Sequence, residues 1–424
     1  MSQNNSTISS SIEESSQLEQ LQVIQTNLNL ESEAFNLDFE LARYKPSRIQ
    51  EFRYRYSDFW SGTNKFFLQH PLIGYSFRRI IYGLITLLIA IILLFIIIRS
   101  VTNDIQYLPA NYQSLKLSDK QLEELLVNRM KLFGVYGPMG QQLANYLRNL
   151  CPFIPKDILV FDYYEFSPDG SSIVYWEEIF ERRWVYLGVT SSPSIADSST
   201  DVMTLFNKAI PYSFVFGSIA VVISYLIGIP LGIEAAKKKG KPSDSIINAS
   251  SITLIAVPAV VIVIGIYLLS VAGFNNSGLF SSGAFATRFW PIVVLVLMMM
   301  PSTVVLTRRY VVDEMTSDYA RFALSKGMTN NKVYYVHIFR NAGIRILKQF
   351  PLDLAVTLFG ASILTEQQWG IPGMGRYIVS AVSGDKDSFV ILGYVSFAAF
   401  VTVFSSLISD LLMVGLDPRV KLTK

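Results

Sequence analysis

The sequence predicts an all-α polytopic membrane protein with six transmembrane helices and an extracytoplasmic α+β insertion between the first and second. Three observations carry that reading. Hydrophobic residues make up 51% of the 424-residue chain and charged residues 16%, with a mean hydropathy of +0.36, too apolar for a soluble chain of this size. The apolar residues gather in uncharged runs long enough to cross a bilayer as helices, which takes about 20 residues. Lys and Arg cluster at alternate ends of those runs, the bias that marks cytoplasmic loops.

Residues 1–40 hold seven acidic residues and no Lys or Arg. The capping-box pattern Ser16-x-x-Glu19 predicts a short helix to Leu30 with a thin stripe of Leu18, Leu21, Ile24 and Leu28. The rest of this stretch has the composition of a disordered tail, and it lacks the positive-then-apolar order of a cleaved signal peptide. From Arg43 to Arg79 eight basic residues stand against two acidic ones, interleaved with Tyr44, Phe52, Tyr54, Tyr56, Phe59 and Trp60. Basic and aromatic residues together also suit single-stranded nucleic acid. Directly before a span, they predict instead a segment lying on anionic membrane lipid, and no nucleic-acid partner is expected. Residues 1–77 are therefore read as a cytoplasmic extension and 78–99 as the first transmembrane helix, since Ile80–Ile98 carries no charge between Arg79 and Arg99.

Residues 100–207 are polar and aromatic and are read as an extracytoplasmic domain. Its first half shows the capping pattern Ser118-x-x-Gln121 and an apolar face through Leu122, Leu125, Leu126 and Met130, which predicts helix. Its second half, around 158–181, has two strand-like runs separated by the turn signal Pro168-Asp169-Gly170. The core, 208–424, supplies transmembrane helices two to six. Four uncharged runs, Ala209–Ile233, Ile246–Phe274, Phe289–Thr307 and Ser388–Ser409, are joined by a weaker one, Gln349–Thr365, that contains Asp353. Six spans put both termini in the cytoplasm, in agreement with the basic cluster Lys237–Lys241, with Arg308 and Arg309, and with Arg419 and Lys421. The chain is expected in the cell membrane.

The loop 308–348 holds eight Lys and Arg against Asp313, Glu314 and Asp318. Asp318–Lys326 consists of good helix formers, and Gly327 stops it, because glycine takes positive φ without strain just past a helix end. A second helical run at Asn331–Phe339 completes a compact elbow suited to a groove on a soluble partner. Arg321-Phe322-Ala323 followed by Gly327 resembles the coupling helix, or EAA loop, of ABC-importer permeases. The longer stretch from Asp318 through Tyr319, Ala320 and Lys326 to Met328 and Thr329, with His337, Arg340 and Asn341 beyond it, resembles the variant of the oligopeptide/dipeptide family, where Arg replaces the leading Glu. Glu234-Ala235-Ala236 spells the motif but lies in a Gly-Ile-Pro-Leu-Gly context at the end of the second span, so it is not the coupling helix. Glu366, then Trp369-Gly370, Pro372-Gly373 and Gly375, resemble the family's outer turn, with Gln367 where Thr is usual. Leu416-Asp417-Pro418-Arg419 resembles its closing segment.

The resemblance implies a type I ABC importer permease fold and the B-type subunit of an oligopeptide importer. It also implies a C-type permease subunit, two ATPase subunits, an extracytoplasmic peptide-binding protein and a peptide substrate. Asp318–Thr329 would meet the ATPases, while Trp369, held at the membrane interface, and its Gly/Pro turn would form an outer gate or docking point. No P-loop pattern occurs, so ATP and Mg are expected in the partner ATPases, with no cofactor, metal site or catalytic residue in this chain. Cys151 is the only cysteine, and the two histidines, His70 and His337, lie far apart. Within the fifth span, Asp353 reads either as a pathway residue or as a local partner of Arg345 or Lys348, and its closeness to Lys348 favours the pair. Gly360 and Ser362 are pathway candidates whose small side chains permit close helix contact. A dipeptide or nickel permease of the same family, and a membrane-anchored assembly protein, are the alternatives.

Overall fold

The computed structural model describes residues 71–109, 112–115, 117–166, 173–191, 200–383 and 387–416, with a few isolated positions besides. The expected helix Ser16–Leu30, most of the basic-aromatic segment, the Pro168–Gly170 turn and Asp417–Arg419 lie outside the described residues. The chain divides into two units, Met1–Gly74 and Tyr75–Lys424, and the second contains everything discussed below apart from the first residues of its opening helix.

The first span is α1, Pro71–Val101, which begins before the predicted 78 because no Pro or Gly pair interrupts the chain after Pro71. The insertion follows as α2 (Asp119–Leu132), α3 (Met139–Leu150) and an antiparallel hairpin of β1 (Lys156–Phe166) and β2 (Ile173–Arg183), with Lys156 opposite Arg183. Gln121 caps α2 as its sequence predicts, its side-chain oxygen accepting the Ser118 N–H at 2.8 Å. Tyr107, Met130, Phe133, Val135 and Tyr146 share one core with Phe95 of α1 and with Phe389 and Leu392 of the last span. The helical half of the insertion is thus built onto the membrane helices. The Tyr146 hydroxyl lies 3.3 Å from that of Ser396, which seals the junction with a polar contact.

The remaining helices are α4 (Val202–Lys237), α5 (Pro242–Ala256), α6 (Ala259–Leu268), α7 (Ala286–Met315), α8 (Asp318–Ser325), α9 (Asn330–Trp369), α10 (Met374–Ser383) and α11 (Ser388–Leu416). Among the described residues, α1, α4, α7, α9 and α11 are each long and apolar enough to cross a membrane. The expected span Ile246–Phe274 differs: α5 and α6 are bent by 97° at Val257–Pro258, and the two count as a sixth span only when taken together. Proline forces the cause, since it offers no N–H to the helix and drives the preceding residue extended, here Val257 at ψ 128°.

Helices α4 and α7 form the spine. They run parallel in contact at two levels, Gly228 against Thr303 and Gly232 against Thr307. A Cβ on Gly232 would stand 2.6 Å from that of Thr307 and 2.7 Å from the Val304 carbonyl, so only glycine permits the approach. A bidentate ion pair fixes α5 against the same helix. Arg308 donates from Nε at 2.6 Å and from Nη2 at 2.8 Å to the two oxygens of buried Asp244.

Candidate functional site

The basic loop folds as expected at its centre. Helix α8 stops where Gly327 takes φ 74°; the Gly327 N–H bonds the Leu324 carbonyl at 2.9 Å and the Met328 N–H reaches back to Ala323 at 3.4 Å. Those two bonds are a Schellman motif, which satisfies carbonyls that the end of the helix would otherwise leave open. Ala320 and Ala323 are buried against Ile233, Ala236, Val311, Val333 and Ile338. With small residues facing in, α8 lies close on the ends of α4, α7 and α9. Its outer face presents Arg321, Phe322 at 61% exposure and Leu324 at 44%. Lys326 Nζ sits 4.5 Å from the Phe322 ring centroid, so the surface combines an aromatic face with positive charge.

Three polar side chains tie this helix to the membrane core, and the sequence reading did not single out their arrangement. The Tyr319 hydroxyl donates to Glu314 Oε2 at 2.6 Å, and Arg345 of α9 pairs with the other oxygen of Glu314 at 3.2 Å. Burial first, and the Glu314 carboxylate next, raise the Tyr319 phenol above its ordinary pKa, so it remains the donor. Lys237 at the end of α4 reaches Asn331 Oδ1 at 2.6 Å. Glu314 counts in the sequence only as a minor acid in a basic loop, and nothing in its spacing marks it as a hub.

The expected second helical run, Asn331–Phe339, is not a separate element. It is the start of α9, a continuous 40-residue helix that includes the fifth predicted span. Two π-helical segments, Val333–Ile338 and Thr357–Ala361, interrupt its regular winding. His337 lies half-buried in the first of them.

Asp353 is not the local partner of Arg345 or Lys348. Arg345 is turned to Glu314, and Lys348 lies 3.3 Å from Asp410, which also pairs with Arg79 at 2.9 Å. Asp353 instead accepts the Tyr225 hydroxyl of α4 at 2.8 Å and the Gln349 amide at 3.1 Å. Helix geometry explains the difference: Asp353 is on the face of α9 turned to α4, whereas Arg345 and Lys348 have partners on other faces. Tyr225 sits in an otherwise apolar run, where sequence alone reads it as packing. Gly360 does not mediate close helix contact, because an added Cβ there would meet nothing within 4 Å; Ser362 is buried and its hydroxyl bonds the Leu358 carbonyl at 3.3 Å.

The turn at the far end of α9 is tightly built. Gly370 ends the helix at φ 63°, and the Ile371 N–H returns to the Glu366 carbonyl at 2.9 Å. Glu366 is 1% exposed, and its Oε2 accepts the Gly375 N–H at 2.7 Å, while Ser213 of α4 accepts the Met374 N–H at 2.8 Å. A side chain at Gly373 would overlap the Glu366 carboxyl and the Ser213 hydroxyl. Trp369 is not at an interface. It is fully buried, edge-on to Tyr267 of α6 at 5.1 Å, in a cluster with Phe216 and Ala220 of α4, Val263 of α6 and Val294 and Leu295 of α7. Of the six residues expected at the outer gate, Gly370 is exposed and Pro372 half-buried, and the others are inside.

Residues 228–422 match the family described as binding-protein-dependent transport system inner membrane component. The oligopeptide transport system permease protein AmiC of Streptococcus pneumoniae is 29% identical over 255 residues, 57% of this chain and 51% of that protein. The peptidoglycan transport system permease protein YejB of Agrobacterium fabrum is 28% identical over 257 residues, 57% of this chain and 70% of that one. The dipeptide transport system permease protein DppB of Lactococcus lactis subsp. cremoris is 27% identical over 250 residues, 58% of this chain and 81% of that one. The chain spans about half the length of AmiC. The matched stretch, somewhat less than half of the chain, contains α8 with its glycine stop, Asp353 and the Glu366–Gly375 turn.

Proposed function

We propose that this chain is the B-type permease subunit of an ATP-driven oligopeptide importer in the cell membrane, with both termini in the cytoplasm. It forms half of the translocation pathway with a C-type permease subunit. Two ATPase subunits, which hold ATP and Mg, dock on α8, and an extracytoplasmic binding protein delivers the peptide. The relatives named for oligopeptide, dipeptide and peptidoglycan transport support a peptide-containing substrate.

The observation that carries the reading is α8 itself: small residues fixed into the membrane core on one side, a basic-aromatic face on the other, and a Schellman stop that makes the element rigid. A push on that face passes through Tyr319, Glu314 and Arg345 into α9. At 1.5 Å per residue, α9 spans about 60 Å, so one helix links α8 to the Glu366–Gly375 turn. Rigid-body movement of the two permease subunits would then alternate the cavity between its two openings. Asp353, held by Tyr225, Gly360 within the π-helical turn Thr357–Ala361 and Ser362 just after it lie along the moving helix, and these are the pathway residues we assign. The Glu366–Gly375 turn acts as the outer gate, latched to α4 through Ser213.

Phe322→Ala together with Arg321→Ala tests the assignment in vesicles reconstituted with the full transporter. Loss of ATP-dependent peptide uptake and of co-purifying ATPase, with the permease pair intact, is the expected result. Normal uptake by the double variant would refute α8 as the docking element.

A further inference from the structure

Beside the spine, between α4 and the start of α7, lies a groove of about 380 Å³ lined by Tyr212, Val215, Phe216, Ile219, Phe280 and Ile292, with Arg288 at one end. Its size is that of a small-molecule site. Arg288 stands immediately before the uncharged run Phe289–Thr307, hence at a membrane boundary. It is exposed and has no hydrogen-bond or ion-pair partner among the described residues. Aromatic rings mark the same level: Phe289 packs on Trp290 at 5.4 Å, and Tyr212 meets Phe280 edge-on at 6.0 Å. Such a belt sits at headgroup depth.

We infer that this groove binds one anionic phospholipid, its phosphate on the Arg288 guanidinium and an acyl chain along Val215, Phe216 and Ile219. Charge complementarity selects the head: a planar guanidinium takes a phosphate bidentately. The walls select the tail. A peptide laid in the groove would need partners for each main-chain N–H and C=O, and the lining offers little beyond the Tyr212 hydroxyl and Arg288 itself. A single charged end followed by hydrocarbon matches that lining. The inference depends only on the membrane position of α4 and α7 and stands apart from the import reading.

The test is native mass spectrometry of the full chain, purified, stripped of lipid and titrated with phosphatidylglycerol or with phosphatidylcholine of the same acyl chains. The wild type is expected to retain one phosphatidylglycerol and to release phosphatidylcholine. Arg288→Gln and Val215→Trp, the second filling the groove while keeping the cation, should each lose that lipid, and Lys208→Gln should keep it. Retention by Arg288→Gln or Val215→Trp would overturn the site, as would equal loss in Lys208→Gln. Displacement of the lipid by an apolar tripeptide with a free carboxylate would assign the groove to peptide and overturn the lipid reading.

Discussion

Gly327 offers a perturbation whose cost is almost purely backbone. Its φ is 74°, and a Cβ added there would find no atom within 4 Å, so a substitution introduces strain without a steric clash. An L-residue in the left-handed region costs about 1–2 kcal/mol. Replacing glycine also removes unfolded-chain freedom, which returns about 0.4–1 kcal/mol where the native φ is tolerated. Gly327→Ala should therefore weaken the closed end of α8 by about 1 kcal/mol, roughly fivefold in the local opening equilibrium. Asn tolerates the left-handed region and should cost less, whereas Val is an outlier there and should cost more. Hydrogen exchange at Leu324–Met328 in the purified chain reads the opening directly, with the order Gly, Asn, Ala, Val from slowest to fastest. Uptake coupled to ATP hydrolysis should fall in the same order while membrane insertion is unchanged. Exchange as slow in Gly327→Val as in the wild type, or equal in all three variants, would refute the argument that a left-handed stop holds α8 in place.

Two further predictions address the frame around it. Tyr319→Phe removes a hydrogen bond to the Glu314 carboxylate, an interaction worth about 1.5–3 kcal/mol when one partner is charged. Arg345 still neutralises Glu314, so the lower figure applies, and exchange across α8 should quicken about tenfold while α4 and α7 keep their protection; unchanged exchange would remove the tie from the coupling path. For topology, single cysteines in place of Lys120 and of Lys239, both in a Cys151→Ser background, should react with an impermeant reagent from opposite sides of the membrane. Reaction of both from outside intact cells would overturn the orientation.

Periodicity and charge determine a large part of this protein without any tertiary information. Runs of uncharged residues mark the spans, because a helix in hydrocarbon must satisfy its backbone internally and present apolar side chains for its whole length. The glycine stop of α8, the capping of α2 by Gln121 and the β-hairpin were legible for a similar reason: each depends on residues close together in the chain. The bend at Val257–Pro258 was also written locally, but the apolar run around it hid it. Tertiary structure alone decided the rest. Asp353 meets Tyr225 across 128 positions, Trp369 is buried among side chains of α4, α6 and α7, and Glu314 joins Tyr319 to Arg345. Apolar spans look alike to any scan along the chain. Which face of each helix meets which neighbour is set by close contacts such as Gly232 on Thr307, and these bring together side chains whose separation in sequence carries no signal.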